Sequence, residues 1–225
     1  HMLKDYKSRV EGTYALLQTF TELCEQYHLE LEQGYVANQN LYHPLDKYPL
    51  NWRIDTTQSR PIEFLGYAAE YLPSALTGQN RLKYNRTAPY KKNIPYFDTY
   101  RPTDSVIIPR YYGIPRTYHR VIERLKSNHI KLVELKQELI TEAEVYHIQD
   151  FKTRTNAYEG HYLHYNTQVS TSLERIGLSA GDYLIPVDQF GLRYILETLE
   201  PQAIDSFFNW NFFDTILQQK EGFSP

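Results

Sequence analysis

The sequence predicts an α+β fold: a long N-terminal helix followed by a mainly antiparallel, β-sandwich-like body with two or three short helices. Three observations lead there. Over residues 4–33, Val10, Tyr14, Leu17, Leu23, Tyr27 and Leu31 recur at helical spacing among Glu, Gln and Lys, which marks an amphipathic helix. After Gly34 the helical steps give way to short runs bounded by Pro, Gly and Asn, which is the punctuation of strands. Finally, the chain has 21 tyrosines against one methionine. Its apolar area therefore comes from rings with a polar end, which suit half-buried sheet faces and interfaces.

The elements follow in order. Asp5 is an early anion at the start of the first helix, and Gly34 is its stop signal. Residues 35–50 read as loop because Asn38, Asn40, Pro44 and Pro49 interrupt them. Strand-like runs follow over 50–55 and 61–71, then a long polar loop over 72–90 containing Gly78, then a short strand over 93–100. Residues 106–115 form an extended crossover. Thr117 caps a second helix over 118–128, with Val121, Ile122 and Leu125 inward and Asn128-His129 at its end. Alternation resumes over 143–154 and 162–169. The runs 174–178 and 181–187 flank a turn signal at Ser179-Ala-Gly-Asp182. Short helices are expected at 190–198, with Asp188 as a cap, and at 212–220.

Composition excludes several classes. The formal net charge is −3, with both signs interspersed and no basic stripe, so a nucleic-acid partner is not expected. A local basic segment over 80–92 reads as a solvated loop, with a site for an anionic ligand as the sharper alternative. No apolar run approaches the length of a membrane span. Cys24 is the only cysteine, so no intrachain disulfide can form, and its place on an apolar helical face makes it a small hydrophobe.

The densest signal is the stretch Asp205–Asp214. It carries Phe207, Phe208, Trp210, Phe212 and Phe213 within ten positions. Rings so close together cannot all face water without inviting association, so they are expected to dock as a structural clasp.

Candidate chemistry is sparse. The best polar cluster is Glu159, His161 and His164. On a strand, His161 and His164 lie three apart and face opposite sides, so they share a metal only across a bend. His43 with Asp46, His147 with Asp150 and His119 with Glu123 are short-range pairs without the spacing of a zinc site. No Gly-x-Ser-x-Gly elbow and no Gly-rich phosphate loop occurs. The residues alone leave no catalytic or metal-ligating set in this chain, and they leave open a hydrolase built on Glu159, His161 and His164.

A resemblance adds to this. Residues 1–17, Pro49-Leu-Asn-Trp52, Glu63-Phe-Leu-Gly-Tyr67, Tyr158-Glu-Gly-His-Tyr162, Gly181-Asp-Tyr-Leu-Ile-Pro186, Leu196-Glu-Thr-Leu-Glu-Pro201 and the 205–219 stretch together resemble zinc carboxypeptidases of the carboxypeptidase A-like type. They resemble in particular a large form found in Bacteroidetes-type bacteria. The resemblance implies that residues 1–34 are the final helix of an upstream catalytic domain and that 35–225 form a β-rich accessory domain. It implies zinc in the parent, a periplasmic, cell-surface or secreted location, and the upstream catalytic domain as partner. The family holds zinc through His-x-x-Glu and a later His, and no His-x-x-Glu occurs here, so no catalytic residue carries over. Further expectations are a homodimer contact through the orphaned face of helix 4–33, and peptide or glycan binding on a Tyr-rich surface.

Overall fold

The structure, a computed structural model, describes residues 4–39 and 41–218. Expectations that rest on Asn40 or on 219–225, including the end of the 212–220 helix, lie outside the described residues. The fold is α+β with mainly antiparallel strands and a long N-terminal helix. It has two compact units: one comprises His1–Tyr48 with Val106–Pro225, and the other is Pro49–Ser105.

The first unit opens with α1 (Tyr6–Gln26) and α2 (His28–Gln39). Asp5 is the N-cap; its carboxylate accepts from the Ser8 N–H at 2.9 Å and satisfies one of the free donors of the first turn. The helix does not stop at Gly34. No atom lies within 4 Å of a Cβ built there, and the chain stays helical to Gln39, so the 35–39 part of the expected loop is helix. Glycine in a helix interior costs only about 1 kcal/mol. No residue of α1 is buried.

The core of this unit lies further along the chain. The strands β5 (Tyr111–Ile114), β6 (Val133–Glu134) and β9 (Tyr183–Pro186) form a sheet in the order β5-β9-β6, with antiparallel pairs. Helix α3 (His119–Ser127) buries Val121, Ile122 and Leu125, as the spacing predicts. Its N-cap is Tyr118 rather than Thr117. It ends as expected, with Asn128 Nδ2 donating to the Arg124 carbonyl and His129 in the left-handed region at φ 59°. Helix α4 (Leu192–Leu199) buries Ile195 and Leu196 completely. Each such side chain contributes about 1.5–3 kcal/mol. The cap of α4 is Gly191, not Asp188, and it sits at φ 88°. A Cβ at Gly191 would lie 2.6 Å from Ile130 Cδ1. Gly191→Ala should therefore destabilise the chain by more than about 1 kcal/mol, through strain and overlap together, as measured by urea unfolding.

The long strands β7 (Leu139–Thr153) and β8 (His164–Leu178) form an antiparallel pair with register shifts between Ile148 and Lys152. The turn at 179–182 exists; Asp182 accepts from the Ser179 N–H at 2.7 Å and from the Arg116 N–H at 2.8 Å. The runs it joins do not pair with each other. One belongs to β8 and pairs with β7, and the other is β9.

In the second unit the expected strand over 61–71 is present, but the expected 72–90 loop is a tight turn followed by much of a second strand. Strands β2 (Arg60–Pro73) and β3 (Asn80–Tyr96) pair antiparallel around a tight turn. In that turn the Ser74 N–H donates to the Gln79 carbonyl, and Gly78 sits at φ 69°. The sequence conceals the first part of β3 because its residues are exposed and mostly polar on both faces, so no apolar alternation is required. Strands β1 (Lys47–Ile54) and β4 (Tyr100–Ile107) form a further two-stranded sheet. No helix among the described residues is long and apolar enough to cross a membrane.

Candidate functional site

The structure brings the polar cluster and the aromatic clasp together. Between β7 and β8 the chain makes a small loop closed by mutual backbone hydrogen bonds between Tyr158 and His161. Its two central residues are Glu159 at φ 51° and Gly160 at φ 79°. Two consecutive positive φ values define the primed turn that suits twisted strands. Glu159 is thus an exposed turn residue.

His161 is half-buried against the clasp, its ring 5.5 Å from Trp210 and 5.9 Å from Phe212. Tyr158 also faces Trp210, at 6.2 Å. His164, at the start of β8, is only 7% exposed. Its ring lies 4.5 Å from Phe151 and 5.1 Å from Phe208. Its backbone N–H donates to the Asn209 carbonyl at 2.8 Å. Thr153 Oγ1 lies 2.9 Å from His164 Nδ1, and Asp214 Oδ1 lies 3.1 Å from Nε2. Asn211 Nδ2 also lies 3.2 Å from Nε2, so a threonine hydroxyl, a carboxylate and an amide all converge on this ring.

The clasp is held by its own polar residues. Asn209 Nδ2 donates to the Ala203 carbonyl at 2.7 Å, and its Oδ1 accepts from Thr167 Oγ1 at 2.7 Å. The Phe207 N–H donates to the Thr198 carbonyl at 2.7 Å, which ties the clasp to the end of α4. Asn211, at φ 67°, donates through Nδ2 to the Tyr162 carbonyl. Phe207 and Phe208 are core, whereas Trp210, Phe212 and Phe213 are half-buried. Phe213 packs edge-on to Tyr118 at 4.9 Å, and the Arg124 guanidinium lies 5.0 Å from the Phe212 ring. After Phe213 a single 3-10 turn, Asp214–Leu217, stands where a helix is expected.

The hydroxyl–imidazole–carboxylate order of Thr153, His164 and Asp214 resembles a nucleophile relay, but its setting is structural. Thr153 and His164 are direct cross-strand partners, and aromatic rings wall the imidazole. A second cluster fails for a different reason. Ser172 Oγ and Glu174 Oε1 both contact His147 Nε2, at 2.9 and 2.7 Å, so no proton can pass through the ring from one to the other. Hydrogen bonds from Ser172 first, and then from His147, hold the Glu174 carboxyl below its usual range. His147 thus pairs across the sheet and not with Asp150.

One polar group was not singled out from the sequence. Glu200, inside the Leu196–Pro201 motif, is 1% exposed. The Tyr112 and Tyr146 hydroxyls both donate to it. Burial pushes its carboxyl above the usual range; the two hydrogen bonds oppose this, and the neighbouring Glu144 adds to it. The same burial raises both tyrosines. A Glu beside a Pro carries no local signal of burial, and its partners lie more than fifty positions away. Among the described residues, no group of three or more His, Cys, Asp or Glu is placed to hold a metal ion.

Comparison with known proteins adds one link. About half of the chain is similar to a stretch of fungal carboxypeptidase 2. The match is 30% identical over 116 residues to Carboxypeptidase 2 of Trichophyton tonsurans, covering 49% of this chain and 21% of that protein. Carboxypeptidase 2 of Trichophyton equinum matches to the same extent. The chain therefore contains a carboxypeptidase-related region and spans about a fifth of the length of the curated relatives it matches. No protein-family model matches the chain, and no solved structure matches it.

Proposed function

We propose that this chain is a non-catalytic C-terminal accessory segment of a zinc metallocarboxypeptidase-like protein whose whole form hydrolyses C-terminal peptide bonds. The observation that carries this is the 30% identity to carboxypeptidase 2 across half of the chain. The chemistry of the site supports it. His161, His164 and Asp214 are engaged in seating the clasp, and Glu159 forms a turn. A peptidase zinc must polarise the scissile carbonyl and activate water, and the ligands for it belong to the parent and not to these residues. The body would buttress the catalytic domain or shape its rim, with its small sheets packed in a sandwich-like way, in a periplasmic, cell-surface or secreted protein. The test compares this chain with a longer one that includes upstream sequence carrying His-x-x-Glu. The longer protein should bind zinc stoichiometrically and release C-terminal residues from peptides, and the 225-residue chain should do neither. Stoichiometric zinc with peptidase activity in this chain alone would overturn the reading.

A second reading, a peptide- or glycan-binding module, is favoured by the β2–β3 hairpin. It exposes Tyr67, Tyr71, Tyr84, Tyr90 and Tyr96. Strand β3 also carries Arg81, Lys83, Arg86, Lys91 and Lys92 and no carboxylate. Of these cations, Lys83 and Lys91 pair with Glu70 and Glu63. Binding of an acidic peptide or glycan on an array, lost on Tyr84→Ala with Arg86→Ala, would support this reading. An array without signal would sink it.

A further inference from the structure

The first helices expose a seam of apolar residues with no cover among the described residues. Tyr6, Val10, Leu17, Phe20, Tyr27 and Leu31 are each 45–76% exposed. With Thr13 and Cys24 they follow alternating steps of four and three residues from position 6 to 31, the 3.5-residue repeat of a coiled coil. The hydrogen-bond ladder carries across the junction of α1 and α2, where Tyr27 itself departs from helical geometry at φ −110° and ψ 22°. The Tyr27 N–H donates to the Leu23 carbonyl, and the Leu31 N–H donates to the Tyr27 carbonyl, both at 2.9 Å.

The charges along this segment are polarised. Lys4, Lys7 and Arg9 lie at its start, with Asp5 occupied as the cap and Glu11 paired to Lys7. Glu22, Glu25, Glu30 and Glu32 lie toward its end, with no cation beyond His28. Neither Arg9 nor Glu30 has an ion-pair partner among the described residues. Two such helices side by side in the same direction would set four carboxylates against four. Turned end for end, they set carboxylates against cations and also align their dipoles favourably.

We propose that residues 6–31 pair with the same segment of a second copy as an antiparallel coiled coil. One register satisfies both the seam and the charges. Its layers join Tyr6 to Leu31 of the second copy, Val10 to Tyr27, Thr13 to Cys24 and Leu17 to Phe20, each repeated by symmetry. The flanking positions then bring Arg9 opposite Glu30 and Leu16 opposite Leu23. This goes beyond the accessory reading and does not depend on the parent's activity. The resemblance assigns the same face to an upstream domain, but that occupant requires neither a 3.5-residue repeat nor opposite charge at the two ends.

Sedimentation velocity of the 225-residue chain at micromolar concentration should give twice its 26.7 kDa mass. Leu17→Glu with Phe20→Glu should give a monomer with an unchanged circular-dichroism spectrum, since both residues are exposed. Arg9→Glu alone and Glu30→Arg alone should each weaken the dimer about fivefold, and the two together should restore it. Thr13→Cys should cross-link to Cys24 of the second copy under mild oxidation. The wild type should not cross-link, because its two Cys24 residues lie about 16 Å apart along the seam. A monomer at every concentration would return the face to an upstream domain and overturn the proposal. A Cys24–Cys24 cross-link in the wild type, or a dimer whose Thr13→Cys variant does not cross-link, would overturn the antiparallel register.

Discussion

Replacing Phe208 by alanine should lower the unfolding free energy by about 3–5 kcal/mol. The ring is 2% exposed and meets Phe151 at 5.4 Å with planes at 90°, an edge-to-face geometry. It also lies against the His164 imidazole. Truncation removes the transfer energy of the ring and leaves a cavity. It also removes the aromatic pair, which contributes about 0.5–1.5 kcal/mol beyond its buried area. Trp210→Ala should cost less, below about 3 kcal/mol, because the indole is half-buried and much of its surface stays in water. The chain has two tryptophans, so a Trp52→Phe background leaves Trp210 to report on the clasp in urea titrations of the Phe208 variant. Circular dichroism serves for the Trp210 variant. A loss below about 1 kcal/mol for Phe208→Ala would mean that the clasp is a surface awaiting a partner and not a core.

Glu200 should give the chain a stability component that weakens as pH rises. Its folded carboxyl holds a proton more tightly than the unfolded one, whose ordinary value is 4.5. The folded state therefore binds more protons in the interval above 4.5. The contribution is fully present below that value and is lost as pH rises through the folded value. Glu200→Gln keeps an acceptor for Tyr112 and Tyr146 and abolishes the titration. Its stability relative to wild type should therefore rise with pH from about 4.5 upward and then level off. Glu200→Ala should destabilise at every pH, since it strands two half-buried hydroxyls at about 1–3 kcal/mol each. Urea unfolding of the three proteins from pH 4.5 to 8 provides the check. Wild type and Glu200→Gln running parallel across that range would refute the idea. Comparing these two also removes the opposite slope of Asp5, Asp55 and Glu174, whose carboxyls hydrogen bonds hold low and which are common to both proteins.

What could be read from the sequence is what burial dictates locally. Val121, Ile122 and Leu125 mark α3 because one face of that helix is core, and the same logic places α4. The density of rings at 205–214 announces a docked segment, and Phe207 and Phe208 are docked. Strand β2 was legible over 61–71, but the first part of its partner β3 was not, because its residues are exposed and mostly polar on both faces. The Gly191 cap was missed because a left-handed glycine is recognised only once Ile130 is seen beside it. The site was half legible. His164 stands out as a histidine, but its partners Thr153 and Asp214 lie 11 and 50 positions away, and no local spacing encodes them. Glu200 carries no local mark of burial, because its partners Tyr112 and Tyr146 lie 88 and 54 positions away.

The discontinuity of the first unit has a kinetic consequence. Its two pieces are separated by the whole of Pro49–Ser105, whereas the second unit is one unbroken stretch. On the ribosome, the second unit has all of its sequence when residue 105 has emerged, and it can fold then. The first unit cannot complete its core until the clasp, about a hundred positions beyond the end of the second unit, arrives to cover Phe151. Long closures of this kind slow folding, because chain entropy is lost before the non-local contacts repay it. During that wait the uncovered rings are accessible to neighbouring chains. Slow synthesis between residues 105 and 218, or a chaperone that shields that interval, should therefore affect the yield of folded protein more than the same intervention earlier in the chain.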